Sequence, residues 1–447
     1  MTVMRARTLE PGPAFDAVYA AAQSALPAAE NEGVRALRDD QFARFKRAGL
    51  PGPKTEAWKY TSLAAFNRMG FRPPSRVSVD RRRLEPFRLA GAHHLVFVNG
   101  AFAADLSDEL PTSGGVHALP LSRAVGNGTS DVFATTLREP DEDRGLSFLN
   151  AALASDGVRI RVDRGVNEDR PLHLLFVSTA GADGPSLVNV RNLIELAAGA
   201  RLDLLETHLF LEPGDTATNL VNRVVLAEGA TLNHDRLQIG DPSGTLLGRN
   251  VCQVAAGARL TQSVATLGGG LVRNEIAAKL TGRGAEALFN GLYLARGKQH
   301  HDNTLQIEHA APGCHSDQFY KGVLDDHAHA VFAGRIMVHQ IAQQTNAYQA
   351  NNNLLLSPDV AIDTKPELEI FADDVKCSHG ATAGDLDERE LFYLRSRGIP
   401  PALARGLLTF AFAGEVLDRF SLEPAKALAR REVVAWLPDA GSPLELA

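Results

Sequence analysis

Apolar residues in the first part of the chain recur at helical spacing. Between residues 14 and 48, Val34, Leu37, Phe42 and Phe45 fall on one face, and Gly49-Leu50-Pro51-Gly52-Pro53 stops the pattern by removing backbone donors and helical φ values. KTEAWKYTSL follows over residues 54–63. The next stretch, Pro73 to Arg88, is rich in Pro and Arg, and its Arg81-Arg82-Arg83 run reads as a solvated connector rather than an anion site. His93 to Phe97 predicts a short strand. Phe133 to Leu153 predicts helix on both sides of a break, with Pro140 and the charged run Asp141 to Arg144 forming the turn.

From about residue 157 helical spacing gives way to short β-rich runs separated by Gly turns. LAAGARLDL (196–204), LAEGATLNH (226–234) and VAAGARLTQ (254–262) share one pattern, and TGRGAEALF (281–289) is a weaker fourth copy. Their Gly-Ala pairs begin at Gly199, Gly229, Gly257 and Gly284, in steps of 30, 28 and 27 residues. Self-similarity at this period is the signature of a solenoid, in which each unit covers its neighbour's apolar face. The units are too short and too rich in Val, Leu and Thr for helix pairs. They suit a few short strands joined by tight turns, so the prediction is a mainly β fold with a parallel β-helix core. A stack of hairpins in a sandwich has no reason to hold Gly and Ala at one period. The β pattern runs on through 331–342 to 367–371. Residues 385–447 return to helix, with Asp387 and Glu390 as a capping pair and Gly398-Ile399-Pro400-Pro401 ending the first helix. Leu403, Leu407, Phe410, Leu417 and Phe420 form a stripe that must pack on something. The expected organisation is a helical and mixed region over 1–156, the β-helix over 157–385 and a helical domain over 386–447.

Composition narrows the function. An apolar fraction of 45% against 22% charged is that of a folded chain, and a net charge of −7 offers no general attraction for nucleic acid or for anionic membranes. Three scattered cysteines, Cys252, Cys314 and Cys377, form neither a disulfide framework nor a metal knuckle and suit a reducing cytoplasm. The start of the chain lacks the apolar core of a signal peptide, and no window has the run of a membrane span, so a soluble cytoplasmic protein is expected.

The common catalytic strings are missing. The nearest approach to a P-loop, Gly49 to Thr55, has the wrong spacing, and there is no GxSxG, HExxH or suitably placed GxGxxG, so the chain is not expected to be an enzyme. Histidines crowd together instead: His300, His301, His309, His315, His327, His329 and His339, with His379 later, are eight of the fourteen. Alternation on a strand puts His327 and His329 on one face, and Cys314 precedes His315, yet the spacing matches no closed ligand set. Polar histidines bonded to neighbours or water explain most of them better. ADDVKCSHGAT, 372–382, differs in character. Cys377 and His379 share a face if extended, Lys376 beside them would favour a thiolate, and Asp373 and Asp374 lie upstream. Two ligands cannot close a metal site, so any metal there needs others from elsewhere in the chain or from another subunit.

The run TNAYQANNNLLLSPDVAIDTKPELEIFADDVKCSHGATAGDLDERELFYLRSRGI, 345–399, closely resembles the signature region of the SufD family of the SUF iron–sulfur cluster assembly machinery, and KTEAWKYTSL resembles that family's other recurrent string. The resemblance implies a right-handed parallel β-helix with helical regions at both ends. It implies a non-catalytic scaffold subunit that pairs with the SufB paralogue through the β-helix and docks the SufC ATPase through the C-terminal helices, about 387–420. A homodimer is the alternative where SufB is absent. It implies no stably bound cofactor but a transient iron–sulfur cluster or iron at the SufB junction. His379 is then the candidate iron ligand and Cys377 its companion. SufB carries CEHEA at the comparable place, so Ser378 and Gly380 favour SufD. Two other readings are a SufB-like scaffold holding a cluster by itself and a β-helix carbohydrate enzyme using Asp325, Asp326 and Arg335.

Overall fold

The computed structural model describes residues 8–109, 114–124, 130–138, 144–181 and 184–437. Pro140 and residues 141–143, expected in a turn, lie outside the described residues, as do 438–447 of the last helical region.

The centre is a parallel β-solenoid in which each coil holds two long strands, one in each of two facing sheets. The first sheet runs from Ser186–Leu196 to Ala361–Ile370 and the second from Leu172–Ser178 to Val375–Gly384, every successive pair parallel and in register. The expected few short strands per unit are therefore two strands of about ten residues each, because the chain turns only twice per coil to pass between the sheets. One of the two turns is the Gly of the repeat. Gly199, Gly229, Gly257 and Gly284 have φ of 67°, 65°, 62° and 70°, and Gly313 continues the series at 69°. Such values suit glycine because a Cβ would clash with the backbone. The corners also bond to one another: the N–H of Gly199 donates to the Glu228 carbonyl, that of Gly229 to Ala256 and that of Gly257 to Arg283. The residue after each Gly turns inward and is fully buried, which explains the repeated Ala at 200, 230, 258 and 285 and assigns Cys314, after Gly313, to the same filling role.

One end of the solenoid is closed. His93–Val98, the strand expected from its apolar run, extends the second sheet beside Leu172–Ser178, and Val116–Pro120 pairs antiparallel with Val158–Val162 to finish the first. The N-terminal helices Pro13–Ala22 and Glu32–Ala48 place Phe15 and Phe45 in a cluster on the outer face of the first sheet, against Leu187, Ala217 and Leu247. The C-terminal helices Glu388–Ser396, Pro401–Leu417 and Glu423–Trp436 cover the outer face of the second sheet, where Val416, Leu417 and Val433 join Leu205, Leu237 and Leu292. The stripe is thus packing: Leu417 and Phe420 are buried, while Leu403, Leu407 and Phe410 are partly buried against the same cluster. Asp387 accepts from the Arg389 N–H and caps the first of these helices. No described helix is long and apolar enough to cross a membrane.

Candidate functional site

At the other end the solenoid stops without a cap. Register carries an inward-facing column through Leu204, His234, Gln262, Phe289, Gln318 and Gln349 to His379, and a second through Leu202, Leu232, Leu260, Ala287, Ser316 and Ala347 to Cys377. Every earlier member is buried. Cys377 is half-buried and His379 exposed, because no described coil follows Val375–Gly384. The two residues do share a face, as alternation predicts.

Their chemistry differs from expectation. Cys377 packs against the apolar interior, and burial pushes its thiol up, outweighing the backbone N–H of Ala347 that favours the thiolate. Lys376 does not reverse this, since alternation turns it to the opposite face, where it is exposed. Cys377 is therefore a resting thiol, and His379 is the accessible donor.

The final strands leave open edges, since Ala361–Ile370 and Val375–Gly384 each end their sheet with a neighbour on one side only. Their inward residues Ile362, Leu368 and Val375 are only partly buried, and Phe371, 61% exposed, and Ile370 project beside them. Unpaired backbone groups next to apolar side chains are a template for another chain. A second exposed apolar pair lies on the first C-terminal helix, where Phe392 and Tyr393 are 72% and 57% exposed. Their signal is four consecutive bulky residues, Leu391 to Leu394, more than one helix face can bury.

The histidine-rich stretch does not assemble into a site. His327 lies in the corner before the strand His329–Val338, so the predicted pairing with His329 on one face fails; His327 faces Asp359 at 3.9 Å, whereas His329 bonds Asp363 at 2.8 Å. His339 bonds Glu308 at 2.7 Å, His309 bonds Ser316 at 2.8 Å inside, and His315 bonds the Asn346 carbonyl at 3.1 Å. The Cys314 thiol donates to the Gly282 carbonyl in the interior and offers His315 no companion ligand. Burial pushes the Cys252 thiol up to about 12. Asp325 is tied to Ser357 at a corner and Arg335 to Glu369 on a sheet face, so the groove a carbohydrate enzyme needs is not assembled from them. Among the described residues no three His, Cys, Asp or Glu side chains are placed to hold a metal ion together.

The KTEAWKYTSL segment forms a strap across the outer face of the first sheet. Arg273 donates to the Ala57 carbonyl at 2.8 Å and stacks 3.9 Å over the Trp58 ring. Thr61 bonds His300 at 2.9 Å and also Asp302. Glu56 pairs with Lys365 of Ala361–Ile370, the last strand of the first sheet, at 2.6 Å.

Two family models match the chain: the SufBD protein N-terminal region over residues 13–174, and the SufBD core domain of SUF-system iron–sulfur cluster assembly over 176–412. The iron–sulfur cluster assembly protein SufD of Escherichia coli is 32% identical over 92% of this chain and 95% of its own length. A SufBD family protein of Synechocystis is 31% identical over 83% and 84%, and the chloroplastic protein ABCI7 of Arabidopsis thaliana is 27% identical over 94% and 89%. An N-terminal region strapped over a two-sheeted solenoid, a helical C-terminal layer and this likeness along nearly the whole of both chains have one explanation: the protein belongs to the SufBD family of iron–sulfur cluster assembly proteins.

Proposed function

We propose that the chain is the SufD-type scaffold subunit of a SUF complex, carrying no chemistry of its own beyond one ligand for cargo. The observation that supports this best is the uncapped end of the solenoid, where two free strand edges flank an exposed imidazole at the mouth of an inward column. The SufB paralogue is the partner that fits, adding strands to Ala361–Ile370 and Val375–Gly384 and covering Ile370 and Phe371. A second copy of this chain is the competitor for the same edges where SufB is absent. The nascent cluster or its iron is cargo shared across that junction, held by His379 together with ligands from SufB, because His379 and Cys377 are too few to close a site. SufC docks on the C-terminal helices at Phe392 and Tyr393 and supplies ATP hydrolysis.

The test is His379→Ala in the co-purified complex, read by iron and acid-labile sulfide with ATP turnover alongside. The expected result is an intact complex with turnover retained and a cluster yield several-fold lower, because an exposed imidazole contributes little to packing. Cys377→Ser should lower the yield less, its thiol being a resting, half-buried group. Normal yield in His379→Ala removes the residue from the site, and loss of the complex assigns it to packing.

A further inference from the structure

Under the exposed imidazole at the open end sits a buried acceptor that nothing meets. Gln349 is the register neighbour of His379 on strands Thr345–Leu355 and Val375–Gly384, on the same inward face, and is only 3% exposed. Its amide nitrogen points down the column and donates to Gln318 Oε1 at 2.8 Å. Its Oε1 is buried and, among the described residues, has no donor. The amide is also fixed from across the interior, because a Cβ on Gly334 of the first sheet would overlap the Gln349 side chain. A buried acceptor left unmade costs its lost hydration, so the fold keeps this oxygen in place for a donor that has still to arrive.

The final coil offers few candidates. Of the inward residues of Val375–Gly384, only Cys377 and His379 carry a side-chain hydrogen to donate. Cys377 stands over Ala347, one column away, and a thiol is a weak donor. On the facing sheet, the Thr364 hydroxyl is itself buried without a partner and so does not serve Gln349. His379 remains. The same column already contains such a pair: His234 and Gln262 are register neighbours, and the Gln262 amide nitrogen donates to His234 Nδ1 at 3.1 Å while His234 Nε2 meets Glu206 at 3.1 Å. At the open end the sense is reversed, since the nitrogen of Gln349 is engaged and its oxygen is free.

We infer that Gln349 is the positioning residue of His379, its Oε1 accepting the imidazole Nδ1–H and leaving Nε2 as an unprotonated donor at the open end. The inference rests on the reading of His379 as a ligand for cargo. An imidazole binds a metal ion only through a nitrogen without a proton, and the hydrogen bond made by the other nitrogen decides which one that is. An imidazole free in water favours the proton on Nε2, which would block the outward nitrogen. Gln349 supplies the bias that the exposed ring lacks.

The test is nitrogen NMR of the full chain grown on isotope-labelled histidine, with the His379 signal assigned by His379→Ala and read at a pH where the ring is neutral. The expected result is the Nδ1–H tautomer in the parent, reversion to Nε2–H in Gln349→Met, and Nδ1–H again in Gln349→Glu, which restores an acceptor. A role in packing alone would not move the tautomer. In the co-purified complex supplied with ferrous iron and sulfide, cluster yield in Gln349→Met should fall toward that of His379→Ala and recover in Gln349→Glu, since the outer partner of a ligating imidazole is typically worth about 10–100-fold in metal affinity. An Nε2–H tautomer in the parent, or an unchanged one in Gln349→Met, would overturn the inference. Parental yield in Gln349→Met beside a lowered yield in His379→Ala overturns it too and leaves the ligand role standing. Parental yield in His379→Ala removes the ligand role, and the tautomer alone then decides for or against Gln349.

Discussion

Truncating Phe392 to Ala should separate partner docking from folding. Its side chain is 72% exposed, whereas Leu391 beside it is buried and belongs to the cluster under the C-terminal helices. A phenylalanine of roughly 200 Å² with that exposure offers about 140 Å² to a partner, worth about 3.5 kcal/mol at 25 cal/mol per Å². Since Ala keeps roughly a third of that area, the expected loss on truncation is about 2 kcal/mol, or on the order of 30-fold in the Kd for SufC. Stability should stay within about 0.5 kcal/mol of the parent, as for other exposed positions. Leu391→Ala on the same helix should do the reverse in a urea melt, lowering stability by about 2 kcal/mol or more. The assay is calorimetric titration of SufC into the full chain, with urea unfolding as the companion measurement. An unchanged Kd in both Phe392→Ala and Tyr393→Ala would refute the reasoning and move the docking surface elsewhere.

Phe371→Glu places a charge at the open edge where the partner's strands would lie, so co-elution with SufB on gel filtration should be lost while the urea midpoint of the isolated chain is retained; undiminished co-elution would exclude this edge. Acidification should destabilise the fold. Burial holds His300, His301 and His309 at about 4, below the usual 6.5, so they stay neutral in the fold while the unfolded chain takes up protons. Their contribution is present above pH 6.5 and is lost as pH falls through 4, at up to about 3 kcal/mol each. Asp235 opposes them, because burial raises it to about 7 and its share is lost as pH rises. With three groups against one, the urea midpoint should fall between pH 7 and pH 5, and a flat or rising midpoint would contradict the burial of these imidazoles.

The solenoid was legible in the sequence for a specific reason. A corner at positive φ tolerates little but Gly, and the inward position after it admits only a small side chain, so the turn wrote Gly-Ala into the chain once per coil. Where the corner is Gly313-Cys314, or Gln344 with φ 63°, the same geometry leaves no such mark and the repeat fades from view. The shared face of Cys377 and His379 was legible through alternation along the strand. The thiolate expected at Cys377 failed because sequence neighbours on a strand face opposite ways, and the inward side is apolar. His327 failed for a related reason: one corner residue, Asp326 with φ 58°, breaks the alternation that pairing with His329 assumed. Phe392 and Tyr393 were hidden because a crowded apolar run does not say which members the core takes.

The strap bears on how such a molecule can change length over evolutionary time. A solenoid of equivalent coils is indifferent to how many it has, since a coil duplicated in the middle makes the same contacts as its neighbours and leaves both ends intact. The segment 56–61 is not indifferent. It grips Arg273, His300 and Asp302, and Lys365, which stand on strands Leu271–Leu280, His300–His309 and Ala361–Ile370. Neighbouring strands are about 4.8 Å apart, so one extra coil between Arg273 and Lys365 would pull at least one of these anchors beyond bonding distance. The strap therefore works as a gauge of coil number, and a relative that gains or loses a coil in this interval must lengthen or shorten its KTEAWKYTSL segment to match.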